Sequence, residues 1–193
     1  MLNEIFDRIV VINLDSRPDR LEQFDAQAKK FGIKYERFSA VAAHQKLPAT
    51  WACKESHLSV IKQAVKDGVK RLFVFEDDAL FDDKFDTKFP LFYKELPEDW
   101  DMLYLGAWHI VCHPYKENIV KMVESYSAHA YGINEHYMQD ALSSVYKPNP
   151  IDIALATKHP HIKAYCAKPA LVGQKPGFSD IEKEFRDVTD KYL

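Results

Sequence analysis

The sequence is poor in three features that would each point to a class of protein. Its three cysteines, Cys53, Cys112 and Cys166, are widely spaced, and this odd, scattered set argues against both a disulfide framework and a zinc site. It has six glycines but no glycine-rich phosphate loop, which argues against P-loop NTPases and dinucleotide-binding Rossmann enzymes. No apolar run approaches the roughly 20 residues that a membrane-spanning helix needs.

An excess of basic charge is also missing. Lysine and arginine together number 26 against 29 acidic residues, for a net charge of −3, so nucleic acid is not an expected partner. Residues 1–5 have neither the basic nor the apolar segment of a signal peptide, and with the separated cysteines this predicts a cytoplasmic protein. The 193 residues, 47% of them hydrophobic, suit a single domain over residues 1–193.

Strand-like and helix-like patterns alternate along the chain. Apolar and β-branched runs predict strands at residues 8–13, 35–38, 71–75, 101–106 and 128–133. Residues 15–19 are typical of a helix start, and apolar residues at helical spacing continue this helix to Phe31, before Gly32. The same spacing predicts a helix at residues 51–66 and a further one that rests on Met138, Ala141, Leu142 and Val145. This alternation predicts an α/β fold with a mostly parallel central sheet flanked by helices.

Three adjacent carboxylates, Glu76, Asp77 and Asp78, directly follow one of the predicted buried strands. In open α/β sheets ligands bind outside the carboxyl ends of the strands. Adjacent carboxylates repel one another, and a bound divalent cation would relieve that cost. Hard oxygen ligands suit Mg²⁺ or Mn²⁺, which usually complete their coordination with waters and substrate phosphates. The run therefore predicts a phosphorylated substrate, for example a diphosphate. The alternative is a solvated acidic loop that binds nothing.

Several segments resemble one family, in order along nearly the whole chain. They are residues 11–14, 38–41, 52–57, 74–78, 100–106, 130–133, 150–155, 169–174 and 179–181. With them the chain resembles glycosyltransferase family 25, which includes bacterial lipooligosaccharide β-galactosyltransferases and the catalytic domain of procollagen galactosyltransferases. Two features depart from the family. Ala42 and Ala43 stand where it often has Asp-Gly, and the longer basic tail of some bacterial members is absent.

The resemblance implies a GT-A-like fold and an inverting hexosyltransferase. It implies UDP-galactose as the donor, with UDP-glucose as a close rival, and Mn²⁺ or Mg²⁺ as the cofactor. Asp78 would ligate the metal, with Glu76 or Asp77 reaching either the metal or the ribose. The acceptor would be a hydroxyl of a lipid-linked glycan or of a collagen-like protein. The enzyme itself would not span the membrane, and peripheral attachment to a membrane stays open. Two other functions stay open: an inactive nucleotide-sugar-binding module and a metal-dependent phosphohydrolase.

The same resemblance implies a set of donor-binding residues. They are Asn13, Arg17, Ser56, His57, Glu76, Asp77, Gln174 and Asp180. Simpler roles compete for some of them: Arg17 is also typical of a solvated helix start, and His57 of a structural hydrogen-bonding residue. Asp180 and Gln174 belong to a late segment of the kind that often closes over a bound donor.

Inversion requires a general base that takes the proton of the acceptor hydroxyl. Asp152 is the first candidate, because it lies between apolar residues that should raise its proton affinity. Its alternative role is to cap the helix that follows it. Asp101 and Asp180 are rival candidates for the base. Cys53 has no evident histidine partner and is not expected to act as a nucleophile.

Overall fold

The computed structural model describes residues 1–144 and 149–192. The strands in these ranges are β1 (Arg8–Asn13), β2 (Glu36–Ser39), β3 (Arg71–Glu76), β4 (Ala79–Phe81), β5 (Met102–Tyr104), β6 (Trp108–Lys116), β7 (Ile119–Tyr126), β8 (Ala130–Asn134), β9 (Ala164–Ala167), β10 (Val172–Gln174), β11 (Gly177–Phe178) and β12 (Phe185–Arg186). The α-helices are α1 (Leu2–Ile5), α2 (Pro18–Lys30), α3 (Ala49–Lys66), α4 (Phe85–Glu95), α5 (Glu135–Ser144) and α6 (Ile151–Ala156). None of these helices is long and apolar enough to cross a bilayer.

Eight strands form one sheet in the order β2-β1-β3-β8-β5-β9-β7-β6. The predicted central sheet flanked by helices is confirmed, but its strands are mixed in direction. β1 pairs in parallel with β2 and β3, and β5 with β9, whereas β8 runs antiparallel to both β3 and β5. Between β5 and β8 the chain reverses once, at the hairpin of β6 and β7, and has no crossover helix of the kind that usually joins parallel strands.

The sheet separates two apolar cores. On β1, Val10 and Ile12 face the core that is covered by α3, α5 and α6. Their neighbours Ile9 and Val11 face the core that is covered by α1, α2 and α4. A strand that is buried on both faces reads as a continuous apolar run, which is why the sequence predicts it correctly.

Most predicted elements lie where the sequence places them. The strand at residues 8–13 has the predicted bounds, and the helix at 51–66 is present as α3. The antiparallel hairpin of β6 and β7 was not predicted. Its outer strand, β6, is largely exposed, so it lacks the apolar pattern of the buried strands. Val145, assigned by the sequence to the helix after β8, lies outside the described residues.

A close backbone contact joins the end of β5 to β10. The carbonyl of Leu105 accepts hydrogen bonds from the backbone N–H groups of Leu171, at 2.6 Å, and Val172, at 3.0 Å. A Cβ atom on Gly106 would lie 2.0 Å from the Val172 carbonyl oxygen, so only glycine fits. β10 then pairs antiparallel with β4, and Gln174 lies opposite Ala79. This contact positions Gln174 beside the acidic run.

Candidate active site

A cleft of about 690 Å³ opens where β1 and β3 end, the edge at which open α/β sheets bind ligands. Its volume lies within the roughly 300–1,000 Å³ of small-molecule sites. Glu76, Asp77 and Asp78 all line it, so the acidic run borders a cleft. The other walls come from the first strand and helix, the loop at residues 40–43, α3, the start of α6 and the late segment at 174–192.

Asp77 is the best satisfied of the three carboxylates. Its Oδ2 accepts a hydrogen bond of 2.7 Å from Asn13 Nδ2, and its Oδ1 accepts one of 3.1 Å from Arg20 Nη1. Burial nevertheless raises the pKa of Asp77, against the effect of these two bonds. Because both oxygens tie β1 and α2 to the end of β3, the geometry favours an anchoring role for Asp77.

Asp78 is the least satisfied of the three. Its Oδ1 is buried and has no hydrogen-bond partner among the described residues, and its Oδ2 lies 3.6 Å from Arg20 Nη1. Burial, followed by the negative charge of Glu76, raises the pKa of Asp78 to about 7. A buried anionic oxygen without a partner is costly. Asp78 is therefore the carboxylate that a cation would stabilise most.

Glu76 is held by a buried histidine. His57 Nε2 lies 3.1 Å from Glu76 Oε1, and His57 Nδ1 lies 3.1 Å from the hydroxyl of Tyr131. Burial raises the pKa of Glu76, but the hydrogen bond and the charge of His57 outweigh it, and the net pKa is lowered. Glu76 is thus favoured as an anion, which leaves a negative charge next to Asp78.

Glu76 and Asp78 fit a hard divalent cation. They offer carboxylate oxygens, which are the donors that Mg²⁺ and Mn²⁺ prefer, and the unpartnered Oδ1 of Asp78 supplies a free ligand. The fit is electrostatic as well, since a cation would offset the repulsion that raises the pKa of Asp78.

Arg20 is a charged cleft residue to which the sequence assigned no role. It lines the cleft, contacts Asp77 and Asp78, and donates a 2.7 Å hydrogen bond to the carbonyl of Phe178. Arg17, which the resemblance implies as a donor-binding residue, instead pairs with Asp180 at 2.5 Å. The spacing of Arg17 and Arg20, three residues apart at a helix start, was the available signal, because such residues share one face.

Two other predicted donor-binding residues are engaged in internal hydrogen bonds. Asn13 is buried and bonds to Asp77 and to the backbone carbonyl of Arg17. The Ser56 hydroxyl donates to the carbonyl of Ala52 at 2.8 Å and accepts from the N–H of Val41 at 2.9 Å. Asn13 therefore supports the acidic run from behind, and Ser56 fixes the loop at 40–43 to α3.

Asp152, the first candidate for the general base, lies in the cleft at the carboxyl ends of β1 and β3. Asp152 lines the cleft in the first turn of α6, where its Oδ1 accepts a 2.8 Å bond from the N–H of Ile153. Burial and, more weakly, the charge of Glu76 raise the pKa of Asp152, as its apolar neighbours predict. Pro150 stands at the N-cap position of α6, so Asp152 does not occupy that position.

Asp101 does not belong to the cleft. It precedes β5, and β5 runs parallel to β1 and β3. Asp101 therefore lies at the amino ends of these strands, whereas the cleft lies at their carboxyl ends. Its carboxylate contacts His136 Nε2 at 2.6 Å and accepts a 2.7 Å bond from the N–H of Lys163. These bonds join three chain segments, so Asp101 holds the structure together away from the cleft.

Gln174 and Tyr192 of the late segment, together with Trp108 of β6 and Tyr126 of β7, form an aromatic and polar wall of the cleft. The hydroxyl of Tyr192 donates a 2.5 Å hydrogen bond to Gln174 Oε1, and a hydrogen bond from Gln174 lowers the pKa of Asp78 against larger effects that raise it. Trp108 lines the cleft beside Tyr126, with ring centroids 5.9 Å apart, and Lys191 Nζ lies 4.0 Å from the Trp108 ring centroid. Such rings suit the face of a sugar.

Comparison with known proteins assigns the family. The family model described as "Glycosyltransferase family 25 (LPS biosynthesis protein)" matches residues 48–169. The chain belongs to glycosyltransferase family 25. This match spans the acidic run, α3 and Asp152, and it confirms the resemblance that the sequence motifs carry.

Two curated relatives of family 25 are similar to the chain. "Procollagen galactosyltransferase 2" of Mus musculus is 26% identical over 233 residues, which cover 92% of this chain and 37% of that protein. "Inactive glycosyltransferase 25 family member 3" of Homo sapiens is 26% identical over 144 residues, which cover 60% of this chain and 24% of that protein. The chain thus spans well under half the length of the curated relatives it matches.

Solved structures resemble the family 25 chain in fold. A197 from STIV has a TM-score of 0.53 and 11% identity, over 92% of this chain and 91% of that chain. A glycosyltransferase involved in the glycosylation of the major capsid of PBCV-1 has a TM-score of 0.50 and 9% identity, over 80% and 74% of the two chains. The GT-A-like α/β fold is confirmed by these neighbours.

Proposed function

We propose that this protein is an inverting, metal-dependent hexosyltransferase that moves a sugar from a UDP-sugar to a hydroxyl group. The observation that carries the proposal is the unpartnered, buried Oδ1 of Asp78 beside the anionic Glu76, in a cleft of a family 25 chain. Galactose is the proposed sugar, because a relative that matches 92% of this chain is named a procollagen galactosyltransferase. The proposed acceptor is a hydroxyl of a glycan or of a collagen-like protein.

Asp78 and Glu76 would hold Mn²⁺ or Mg²⁺. The bound ion would offset the charge that develops on the leaving nucleoside diphosphate. Arg20 lies beside both Asp77 and Asp78. Its guanidinium is therefore the positive group proposed to contact the diphosphate. Its bond to the Phe178 carbonyl and the Arg17–Asp180 ion pair hold the late segment against the donor side of the cleft.

Asp152 is the proposed general base. It lines the cleft, and its raised pKa increases its affinity for the proton of an acceptor hydroxyl. Trp108 and Tyr126 line the same cleft, with their rings in contact, and are the proposed stacking surface for an acceptor sugar. In this arrangement the acceptor oxygen attacks the anomeric carbon as Asp152 removes its proton, and the UDP oxygen departs with the bonding electrons.

Replacing Asp152 with asparagine is expected to lower the rate of sugar transfer by roughly 10²- to 10⁴-fold, because the amide cannot accept the proton. The affinity for UDP should change less than twofold, since Asp152 is not assigned to the donor. Transfer kinetics and calorimetric binding of UDP measure the two effects. The matched control is Asp140→Asn, at an exposed position on α5, which should leave both unchanged. A wild-type transfer rate in the Asp152 variant would remove Asp152 as the base.

A catalytically inactive nucleotide-sugar-binding module is the second candidate, because one relative of equal identity is named as inactive. A panel assay separates the possibilities. Incubation with UDP-sugars, Mn²⁺ and hydroxyl acceptors should release free UDP if the protein is a transferase. Donor binding without UDP release would indicate the inactive module. Release of inorganic phosphate from simple phosphate esters would indicate a phosphohydrolase.

A further inference from the structure

We infer that Cys53, His57 and Glu76 form a binding site for a thiophilic divalent cation such as Zn²⁺. The site has a different donor set from the all-oxygen site at Asp78 and shares Glu76 with it. The three side chains come from two elements, α3 and β3, which meet at the end of the sheet where the cleft opens.

The three ligand atoms already lie close together. One candidate ligand atom from each residue lies within 4.8 Å of the other two, and His57 Nε2 is 3.1 Å from Glu76 Oε1. Ligands in a tetrahedral zinc site lie about 3.5 Å apart, so adjustment of about an ångström at the side-chain ends would complete it. Cys53 is not in a disulfide, so its sulfur is free to bind an ion.

Helix geometry explains why the cysteine and the histidine converge. Cys53 and His57 are four residues apart on α3, and residues at this spacing share one helix face. The spacing between the cysteines alone indicates no histidine partner for Cys53. In the structure a ligand atom of Cys53 and one of His57 lie within 4.8 Å of each other, so a histidine does stand near Cys53.

A second layer of contacts supports His57 as a ligand. Its Nδ1 contacts the hydroxyl of Tyr131 at 3.1 Å, and both side chains are fully buried. Histidines that bind metals through one ring nitrogen usually hold a hydrogen bond at the other, which fixes the ring and its tautomer. With Nε2 on the metal, Nδ1–H would donate to the Tyr131 oxygen.

The donor set selects the metal. Sulfur, imidazole nitrogen and carboxylate together are typical of zinc, whereas Mn²⁺ and Mg²⁺ favour oxygen alone. Three protein ligands leave a fourth position for water. Because Glu76 serves both sites, Zn²⁺ should withdraw a ligand from the proposed Mn²⁺ site and inhibit transfer. This inhibition rests on the proposed function, whereas the binding of Zn²⁺ does not.

The binding test uses Co²⁺ as a coloured substitute for Zn²⁺. Wild-type protein without donor should develop a thiolate-to-cobalt charge-transfer absorption that Zn²⁺ abolishes by competition. Cys53→Ser should lack this absorption and bind Zn²⁺ about 100-fold or more weakly, measured against a chromophoric chelator, because a thiolate ligand is lost. Cys112→Ser is the matched control: Cys112 is free and half-buried on another element, and this variant should behave as wild type.

A thermal unfolding scan without metal shows whether the variants fold, and Cys53→Ala serves as a second replacement. Wild-type protein without a thiolate band, or equal Zn²⁺ affinity in Cys53→Ser and wild type, would overturn the site.

In the transfer assay with Mn²⁺, Zn²⁺ should inhibit wild type and Cys112→Ser but not Cys53→Ser. Equal inhibition of all three would contradict the shared Glu76. If none of the three proteins transfers sugar, the proposed function fails. The cobalt and zinc binding results still show whether the zinc site exists.

Discussion

Replacing Asp78 with asparagine is expected to lower Mn²⁺-dependent sugar transfer by about 10³-fold, which corresponds to roughly 4 kcal/mol of transition-state stabilisation. The substitution keeps the shape of the side chain but removes the anionic Oδ1 that has no other partner. It also removes one negative charge from the run of three carboxylates, so the metal-free variant should unfold at the same temperature as wild type or higher. Loss of activity without loss of stability would assign Asp78 to the site rather than to the fold.

Asp83 offers the matched control for this experiment. It lies five residues further along the chain, its side chain is 96% exposed, and it pairs with Lys30 on the surface. Exposed pairs of this kind contribute little to stability, so Asp83→Asn should transfer sugar at the wild-type rate. An Asp78→Asn variant that transferred sugar as fast as Asp83→Asn would exclude Asp78 as the metal ligand.

The second large effect is on stability. Gly106→Ala should destabilise the fold by about 3 kcal/mol or more, because its Cβ would meet the backbone oxygen of Val172 at 2.0 Å. A backbone atom cannot rotate away as a side-chain end can. The displaced β10 would carry Gln174 away from Asp78, so any folded fraction should also transfer poorly. Chemical denaturation monitored by tryptophan fluorescence measures the change in the free energy of unfolding.

Gly177→Ala is the matched control for the glycine. The atom nearest to its Cβ would be a backbone oxygen 4.0 Å away, at ordinary contact distance, so the change should stay within about 0.5 kcal/mol. If Gly106→Ala unfolded at the same denaturant concentration as Gly177→Ala, the close contact between β5 and β10 would not be required.

The sequence predicts the parts of the fold and site that depend on short stretches of chain. β1 is recognisable because four successive β-branched residues suit a strand buried on both faces. The position of Glu76 and Asp78 follows from the same logic, since they come directly after such a strand. The hairpin of β6 and β7 lacks this signal because β6 lies at the edge of the sheet and exposes most of its side chains.

Long-range contacts account for most of what the sequence did not predict. Arg20 and Asp77 are 57 positions apart and meet only because α2 packs beside the end of β3. Asp101 was named beside Asp152 as a candidate base, but it precedes its strand whereas Glu76 ends one, and it does not line the cleft. In parallel strands these positions lie at opposite edges of the sheet, and only the carboxyl edge carries the cleft. Strand direction was therefore a usable signal that separates Asp101 from Asp152.

The central claim is that the carboxylates at the end of β3 bind a divalent cation together with a nucleoside diphosphate. Thermal unfolding with UDP, in Mn²⁺ or in a chelator, tests it most directly, since a ligand at 100 times its dissociation constant adds about 2.7 kcal/mol to stability. Saturating UDP should raise the unfolding temperature of wild type by several degrees in Mn²⁺ and by much less in the chelator, and the difference should vanish in Asp78→Asn. A UDP shift of equal size in Mn²⁺ and chelator, or none in either, would contradict the account.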